Sequence, residues 1–121
     1  MKIYICEHCK NIATLLVNKG VPLVCCGSKM TELTKDSAVG APEKHTPVVT
    51  HGNTIKISVG EVEHPMTAEH SIVFVALETS KGMQVKYLKA DEKPVAEFVL
   101  APGEEFVAAY AYCNLHGLWK V

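Results

Sequence analysis

The chain reads Ser71-Ile72-Val73-Phe74-Val75-Ala76-Leu77-Glu78-Thr79, then Ser80-Lys81-Gly82, then Met83 to Leu88. The first segment is rich in β-branched and aromatic residues, which favour a strand, and the polar Ser-Lys-Gly segment is typical of a turn. The pattern therefore predicts a β-hairpin, and it indicates an antiparallel, all-β architecture for the surrounding sequence.

The flanking sequence repeats this pattern of short strands and turns. Before the hairpin, the apolar residues Ile55, Ile57 and Val59 alternate with polar ones, which places them on one face of a strand. Residues 48–50 and the turn at 51–53 complete a second hairpin with that strand.

After the hairpin, residues 91–94 and 101–103 break the chain on either side of a strand from Val95 to Leu100. Phe106, Ala108, Tyr110 and Tyr112 then alternate on one face of a strand that leads into Cys113, although the alanines there would also tolerate a helix. Strands at this spacing predict an immunoglobulin-like antiparallel β-sandwich for residues 37–121.

Composition excludes several classes of function. The 121 residues carry a net charge of -1 with dispersed lysines, which gives no electrostatic footprint for nucleic acid or a membrane surface. No apolar run approaches the roughly 20 residues that a membrane span needs. The first cysteine, Cys6, comes too early for the apolar segment of a signal peptide, so we expect a cytosolic protein whose cysteines are metal ligands or reactive thiols.

The first 36 residues contain four of the five cysteines and are too few to bury a core of their own. They carry Cys6-Glu7-His8-Cys9 and Cys25-Cys26-Gly27, and four thiolates indicate zinc or iron. A vicinal disulfide is the other possibility, and the diverging side chains of adjacent cysteines would strain a tetrahedral site. Residues 34–43 are typical of a linker.

A second group of potential ligands lies in the rest of the chain: His45, His64, His70, Cys113 and His116. Imidazoles with one thiolate suit a redox-active first-row metal. On one straight strand, His64 and His70 would lie about 20 Å apart at roughly 3.3 Å per residue. The segment between them must therefore loop back if both bind one metal, and Pro65 with residues 67–69 suits such a turn.

These strings resemble the superoxide reductases, and the adjacent cysteines resemble desulforedoxin, which together indicate the two-iron family called desulfoferrodoxin. The resemblance covers nearly the whole chain. It implies a desulforedoxin-like Fe(Cys)4 domain at residues 1–36 and a superoxide reductase domain at 37–121, hence two irons per chain. Lys10 departs from the family pattern, since a glycine usually follows the second cysteine.

The resemblance also implies roles for single residues. The four histidines would be equatorial ligands of a mononuclear iron, Cys113 its axial thiolate, and the sixth position would be open. Lys44 would attract superoxide and help deliver a proton, Glu43 would ligate the oxidised iron, and Trp119 would shield the site or belong to the core. The implied reaction reduces superoxide by one electron to hydrogen peroxide. A rubredoxin-like donor would supply the electrons, and the chain would form a homodimer.

Three other functions remain open at this point. An electron carrier without superoxide turnover would use the same two irons. A cupredoxin-like copper protein would share the sandwich and the late cysteine and histidine, but blue copper uses two histidines and usually an axial methionine. A protein-binding module with a zinc knuckle would leave the histidines without a role.

Overall fold

The computed structural model describes residues 1–121, which form two compact units, Met1–Thr34 and Lys35–Val121. A three-stranded antiparallel sheet, in the order β2-β1-β5, and the small hairpin β3-β4 make up the first unit. Only Ile3, Ile5 and Cys6 are buried hydrophobic residues within it. Because so small a core contributes little to stability, we expect this unit to need a bound metal. The strands are β1 (Ile3–Ile5), β2 (Ile12–Thr14), β3 (Val24–Cys25), β4 (Ser28–Lys29) and β5 (Thr31–Leu33).

The second unit contains two antiparallel sheets, one of three strands in the order β10-β7-β6 and one of four in the order β12-β11-β8-β9. A one-turn 3₁₀-helix (Lys35–Ser37) and a one-turn α-helix, α1 (Pro42–His45), precede them. The structure contains no helix with the length and apolar character to cross a membrane. The strands are β6 (Pro47–His51), β7 (Ile55–Val59), β8 (Ile72–Thr79), β9 (Gly82–Tyr87), β10 (Val95–Phe98), β11 (Phe106–Cys113) and β12 (Gly117–Lys120).

The core of the second unit lies between these two sheets. Apolar side chains of β7 and β10 pack against those of β8 and β11, and the alternation predicted for β7 places Ile55, Ile57 and Val59 in this core. The two predicted hairpins, β6-β7 and β8-β9, are present in antiparallel register. The antiparallel β-sandwich predicted from the sequence is therefore confirmed.

Strand β11 differs from its predicted pattern. A bulge between Phe106 and Ala108 shifts the register against β8, and Phe106 packs against the core, whereas Ala108, Tyr110 and Tyr112 do not belong to that cluster. The strand is also buried on both faces from Ala108 to Cys113. A bulge adds one residue to one strand only, so strict alternation from the sequence cannot continue through it.

Residues 35–43 of the segment predicted as a linker belong to the second unit. The backbone N–H of Val39 donates a hydrogen bond of 3.0 Å to the carbonyl of His116. Gly40, at φ +114°, lies so close to His45 and His116 that an added Cβ would be 3.1 Å from each ring. The backbone at Gly40 therefore packs against the rings of His45 and His116, because Gly40 lacks the side chain that would keep it away.

Candidate metal centres

Five potential ligands come together in the second unit. Their donor atoms all lie within 4.8 Å of one another. Each residue sits at the end of an element or in a connecting turn, so the strands bring together groups that are distant in sequence. His45 ends α1, His64 and His70 lie in the segment between β7 and β8, Cys113 ends β11, and His116 lies in the turn before β12.

The four histidine rings form a square. Neighbouring ring centroids are 4.6 Å apart for His45 and His64, 4.6 Å for His64 and His70, 4.9 Å for His70 and His116, and 4.7 Å for His116 and His45. The diagonal from His45 to His70 is 6.4 Å. Neighbouring rings are close to perpendicular, at 72° to 90°. This is the arrangement of four ligands around one equatorial plane.

Backbone carbonyls fix the orientation of two rings. The Nδ1 of His45 lies 2.7 Å from the carbonyl oxygen of Ala41, and the Nδ1 of His64 lies 2.6 Å from that of Pro65. A carbonyl oxygen can only accept a hydrogen bond, so both Nδ1 atoms carry the proton and each Nε2 atom carries a lone pair. These two Nε2 atoms face each other at 3.1 Å. Two lone pairs at this distance repel each other unless a cation lies between them.

The separations match those that a metal requires. Two nitrogens at right angles on one metal, each at about 2.1 Å, are about 3.0 Å apart. The observed distances are 3.1 Å between His45 and His64 and 2.9 Å between His45 Nε2 and His116 Nδ1. In addition, the Nε2 of His70 is buried and has no hydrogen-bond partner. A buried nitrogen without a hydrogen-bond partner is available as a ligand, and the group therefore fits a metal.

Burial favours the neutral form of three of these imidazoles. It lowers the pKa of His64 to about 4, and it also lowers the pKa of His45 and of His70. Neutral imidazole is the form that binds a metal, so the lowered pKa of these three side chains weakens the competition of protons for their nitrogens.

Cys113 supplies the sulfur beside the square. Its side chain is fully buried, and its Sγ lies 3.7 Å from His116 Nδ1. Burial raises the pKa of the Cys113 thiol, while the backbone N–H groups of Leu115 and His116 lower it by donating hydrogen bonds to the sulfur. A buried thiol of this kind ionises readily only when a cation binds, and the two amides then stabilise the thiolate.

Glu43 and Lys44 lie on α1, immediately before His45, and both are exposed. Their charges act on the histidines, because the Lys44 ammonium adds to the effect of burial in lowering the pKa of His45 and His70, while Glu43 opposes it at His45. Trp119 stacks on His45, with centroids 4.9 Å apart and an interplanar angle of 19°. It is therefore packed against the candidate site.

The first unit holds a separate group of four sulfurs, from Cys6, Cys9, Cys25 and Cys26. Sulfurs bound at about 2.3 Å in a tetrahedron are about 3.8 Å apart. The observed separations are 3.6 Å from Cys9 to Cys25 and 4.0 Å from Cys25 to Cys26. All five cysteines of the chain are free thiols, and the vicinal disulfide considered from the sequence is absent. The four sulfurs fit a tetrahedral metal.

A tight turn removes the strain expected for adjacent cysteines. Cys26 and Gly27 are the two central residues of the β3-β4 hairpin, with φ of +52° and +75°. Positive φ at both positions is what a type I′ turn requires. The turn redirects the Cys26 side chain, so that its sulfur lies beside that of Cys25 rather than on the opposite face.

Lys10 also has a left-handed backbone, with φ of +66°. Its N–H donates a hydrogen bond of 2.9 Å to the carbonyl of Cys6, which closes the knuckle. A glycine adopts this φ without strain, which explains why the family usually has one here. The knuckle forms with lysine, and Lys10 Nζ contacts Glu7 at 3.4 Å.

The thiols of the first unit do not ionise equally. The backbone N–H of Cys9 points at the Cys6 sulfur and lowers the pKa of Cys6 to about 6. Hydrogen bonding with Cys6 and Cys9 raises the pKa of Cys25 to about 12, and that of Cys26 is also raised. Crowded thiols cannot all lose their protons without a cation, which again fits a metal among the four.

Some of the residues that build the histidine site carry no signal in the sequence. The carbonyls of Ala41 and Pro65 orient two rings, and any residue type has such a carbonyl. The close approach of Gly40 was also missed. The glycine itself was the available sign, but it fell in a segment that reads as a linker.

Comparison with known proteins agrees with this geometry. A sequence model of the desulfoferrodoxin family matches residues 37–121. A desulfoferrodoxin from Nitratidesulfovibrio vulgaris is 42% identical over 98% of this chain and 94% of its own length. One from Clostridium acetobutylicum is 38% identical over 99% and 94%.

Solved structures give the same answer. The superoxide reductase from Treponema pallidum has a TM-score of 0.81 and 34% identity, covering 100% of this chain and 99% of that one. A superoxide reductase from Giardia intestinalis has a TM-score of 0.56 and 34% identity over 65% of this chain and 95% of its own. The match over both units, together with the four-sulfur and four-histidine groups, leads to one conclusion: this chain belongs to the desulfoferrodoxin family.

Proposed function

We propose that this chain is a superoxide reductase with two iron ions. One iron would be held by the four cysteines of a domain spanning residues 1–36, and the other by the four histidines and Cys113 in a domain spanning 37–121. The observation that carries the proposal is the square of imidazoles beside a buried thiol, with lone pairs of His45 and His64 facing each other at 3.1 Å. Structural neighbours of the chain are superoxide reductases.

The chemistry of the donor set suits this reaction. When bound, iron would supply one electron to superoxide, which becomes hydrogen peroxide after accepting two protons, and an external donor would restore that electron. Neutral imidazoles add no negative charge, so a divalent ion with one thiolate leaves the site cationic and attractive to an anion. The Cys113 sulfur, which accepts hydrogen bonds from two backbone amides, would supply electron density to a bound metal.

We propose Lys44 and Glu43 as the catalytic residues of the polypeptide. The ammonium of Lys44 would draw superoxide toward the histidines and help deliver a proton through water. Lys44 is exposed and directly precedes His45 on α1, which supports this role. Glu43, the neighbouring carboxylate on α1, would bind the oxidised iron after the product leaves.

Finer features of the proposal concern partners and location. Five free thiols suit a reducing cytoplasm, where the enzyme would detoxify superoxide. Cys9 and Cys26 are exposed, which would give a rubredoxin-like donor access to the four-cysteine metal. The first unit also exposes Leu16, Val17 and Val21, an apolar surface that a homodimer would cover.

The first test is metal content followed by the stoichiometry of superoxide consumption. Protein from iron-replete cells should hold about two irons per chain, given the two ligand groups. Each superoxide consumed should yield one hydrogen peroxide and no dioxygen, with electrons drawn from an added reductant. Evolution of dioxygen would indicate dismutation and refute the proposed reaction. Zinc at the cysteines with iron at the histidines would keep the reductase and change only the first site.

The role of Lys44 has its own test. We expect Lys44→Ala to lower the second-order rate constant with superoxide about tenfold and to weaken its dependence on ionic strength. Lys56→Ala, which removes the same charge from an exposed position on β7, is the matched control. If the two variants have the same rate constant and the same dependence on ionic strength, the proposal that Lys44 attracts superoxide is wrong.

A further inference from the structure

The turn at residues 60–62 precedes His64 in the chain and is hydrogen-bonded to the segment that carries His45. It follows β7 directly and lies against the backbone of α1. The N–H of Gly60 donates a hydrogen bond of 3.2 Å to the carbonyl of Thr46, and the N–H of Val62 donates one of 3.0 Å to the carbonyl of Glu43. These bonds extend the β6-β7 pairing past its last register pair and hold α1 against the turn.

Gly60 sits where this contact is tightest. Its φ is +83°, and an added Cβ would lie 2.4 Å from the carbonyl oxygen of Val62 and 2.6 Å from that of Lys44. The carbonyl carbon of Lys44 would be 2.7 Å away. These are backbone atoms, which cannot rotate out of the way as the end of a side chain can. Any residue other than glycine would therefore push the Lys44 peptide away from the turn by several tenths of an ångström.

Such a displacement acts on the metal ligands. His45 directly follows Lys44, and His64 follows Val62 by two residues, with its own N–H 3.4 Å from the carbonyl of Val59. The same turn thus sets the positions of two imidazoles whose Nε2 atoms are 3.1 Å apart. Metal–ligand distances tolerate errors of only about 0.2 Å. The close approach at Gly60 is needed to bring the two nitrogens within reach of one ion.

We propose that Gly60 is a positioning residue for the histidine site. Its missing side chain lets the turn at 60–62 hold the Lys44 peptide at the distance that places His45 opposite His64. The inference rests on the proposed function only in requiring that the histidines bind a metal. Gly60 would thus act on the site through the backbone, without touching either the metal or superoxide.

The test compares Gly60→Ala with Gly103→Ala. Gly103 has the same φ of +83°, but nothing lies within 4 Å of its would-be Cβ. Both variants carry the strain of a left-handed alanine, and only Gly60→Ala adds the clash. We expect Gly60→Ala to lower the affinity of the histidine site for Co²⁺ about 10- to 100-fold, measured by competition with a chelator. Gly103→Ala should bind Co²⁺ as the wild type does.

The four-cysteine site provides an internal reference, because the two variants should leave its metal content unchanged. Equal Co²⁺ affinity of Gly60→Ala and Gly103→Ala at the histidines would overturn the positioning role while leaving the proposed function intact. Failure of the wild type to bind metal at the histidines would refute the proposed function itself.

A measurement on the wild type covers the case in which Gly60→Ala does not fold. Binding of metal should slow hydrogen exchange at the Gly60 and Val62 amides, since both ligands beside them become fixed. The Glu104 amide, which makes a 3.0 Å bond to Ala101 in another turn, is the reference. An equal change at all three amides would show that the turn at 60–62 is not coupled to the site.

Discussion

Acidification of the metal-free protein should destabilise the second unit through His64. This imidazole is 1% exposed, and burial lowers its pKa from 6.5 to about 4. Between these two values the unfolded chain binds a proton at His64 and the folded chain does not. Stability therefore falls as the pH drops from about 6.5 to about 4, and the contribution of this residue levels off below that.

The magnitude follows from the same pKa. Each pKa unit corresponds to about 1.4 kcal/mol, so the change from 6.5 to about 4 corresponds to about 3 kcal/mol. Water entering the metal-free site would screen part of this, and we expect about 2 kcal/mol in the free energy of unfolding.

The variant His64→Leu isolates this contribution. Leucine has a similar volume and no nitrogen, so it removes the titration and also the opposed lone pairs of His45 and His64. The carbonyl of Pro65, an exposed residue, would exchange its hydrogen bond with His64 for one with water. Near pH 7 the metal-free variant should be more stable than the wild type by about 1 kcal/mol, because an unsatisfied buried polar group is gone.

Denaturant unfolding in the presence of a chelator is the assay. Trp119 is the only tryptophan, so its fluorescence reports the second unit alone. His51→Leu, at an exposed histidine of β6, is the control for replacing a histidine by leucine outside the site. The reasoning is refuted if His64→Leu loses stability with falling pH as steeply as the wild type, or if it is several kcal/mol less stable near pH 7.

Three further predictions concern single side chains. Lys10→Gly should stabilise the metal-loaded first unit by about 0.5–1 kcal/mol in denaturant unfolding, because a left-handed φ costs a non-glycine residue about 1 kcal/mol. The control Lys10→Ala removes the ion pair with Glu7 but keeps the left-handed strain. An equal gain in stability for Lys10→Ala would contradict the backbone explanation. Titration of Co²⁺ into the metal-free protein should quench the fluorescence of Trp119, which stacks on His45, and an unquenched signal at full occupancy would contradict that packing. Cys113→Ser should lower the superoxide rate constant at least 100-fold while leaving the metal at the four cysteines unchanged, and a variant with the full rate would refute the proposed role of this thiolate.

Much of the fold can be read from the sequence because the apolar residues of β7 alternate with a period of two, and because turn residues separate the strands of the two hairpins. The last strand, Gly117–Lys120, was not predicted, since four residues after a turn give too short a pattern. The bulge in β11 was equally hidden. It depends on how β11 pairs with β8, which is a property of two strands together.

The candidate metal ligands were predicted more completely than the strands. The sequence singled out nine histidines and cysteines, and the structure brings them together in two groups without adding or losing a member. Residue type narrows the candidates because few side chains can bind a metal, and the resemblance to the superoxide reductases selects four of the six histidines. What the sequence could not give is their arrangement. The square of rings depends on backbone carbonyls at Ala41 and Pro65 and on glycines at positions 40 and 60, where the absence of a side chain matters.

The histidine site is arranged to receive a cation, and the same arrangement would be unfavourable without one. Hydrogen bonds from His45 and His64 to backbone carbonyls hold the rings in the orientation that metal binding requires, so an ion meets ligands that need little rearrangement. The same bonds leave two lone pairs opposed and, at His70, a buried nitrogen without a partner. A fold under selection for stability alone would place apolar residues here. The unfavourable contacts persist because the cation that relieves them is also the cation that performs the proposed reaction, and His64→Leu should therefore gain stability and lose metal binding in one step.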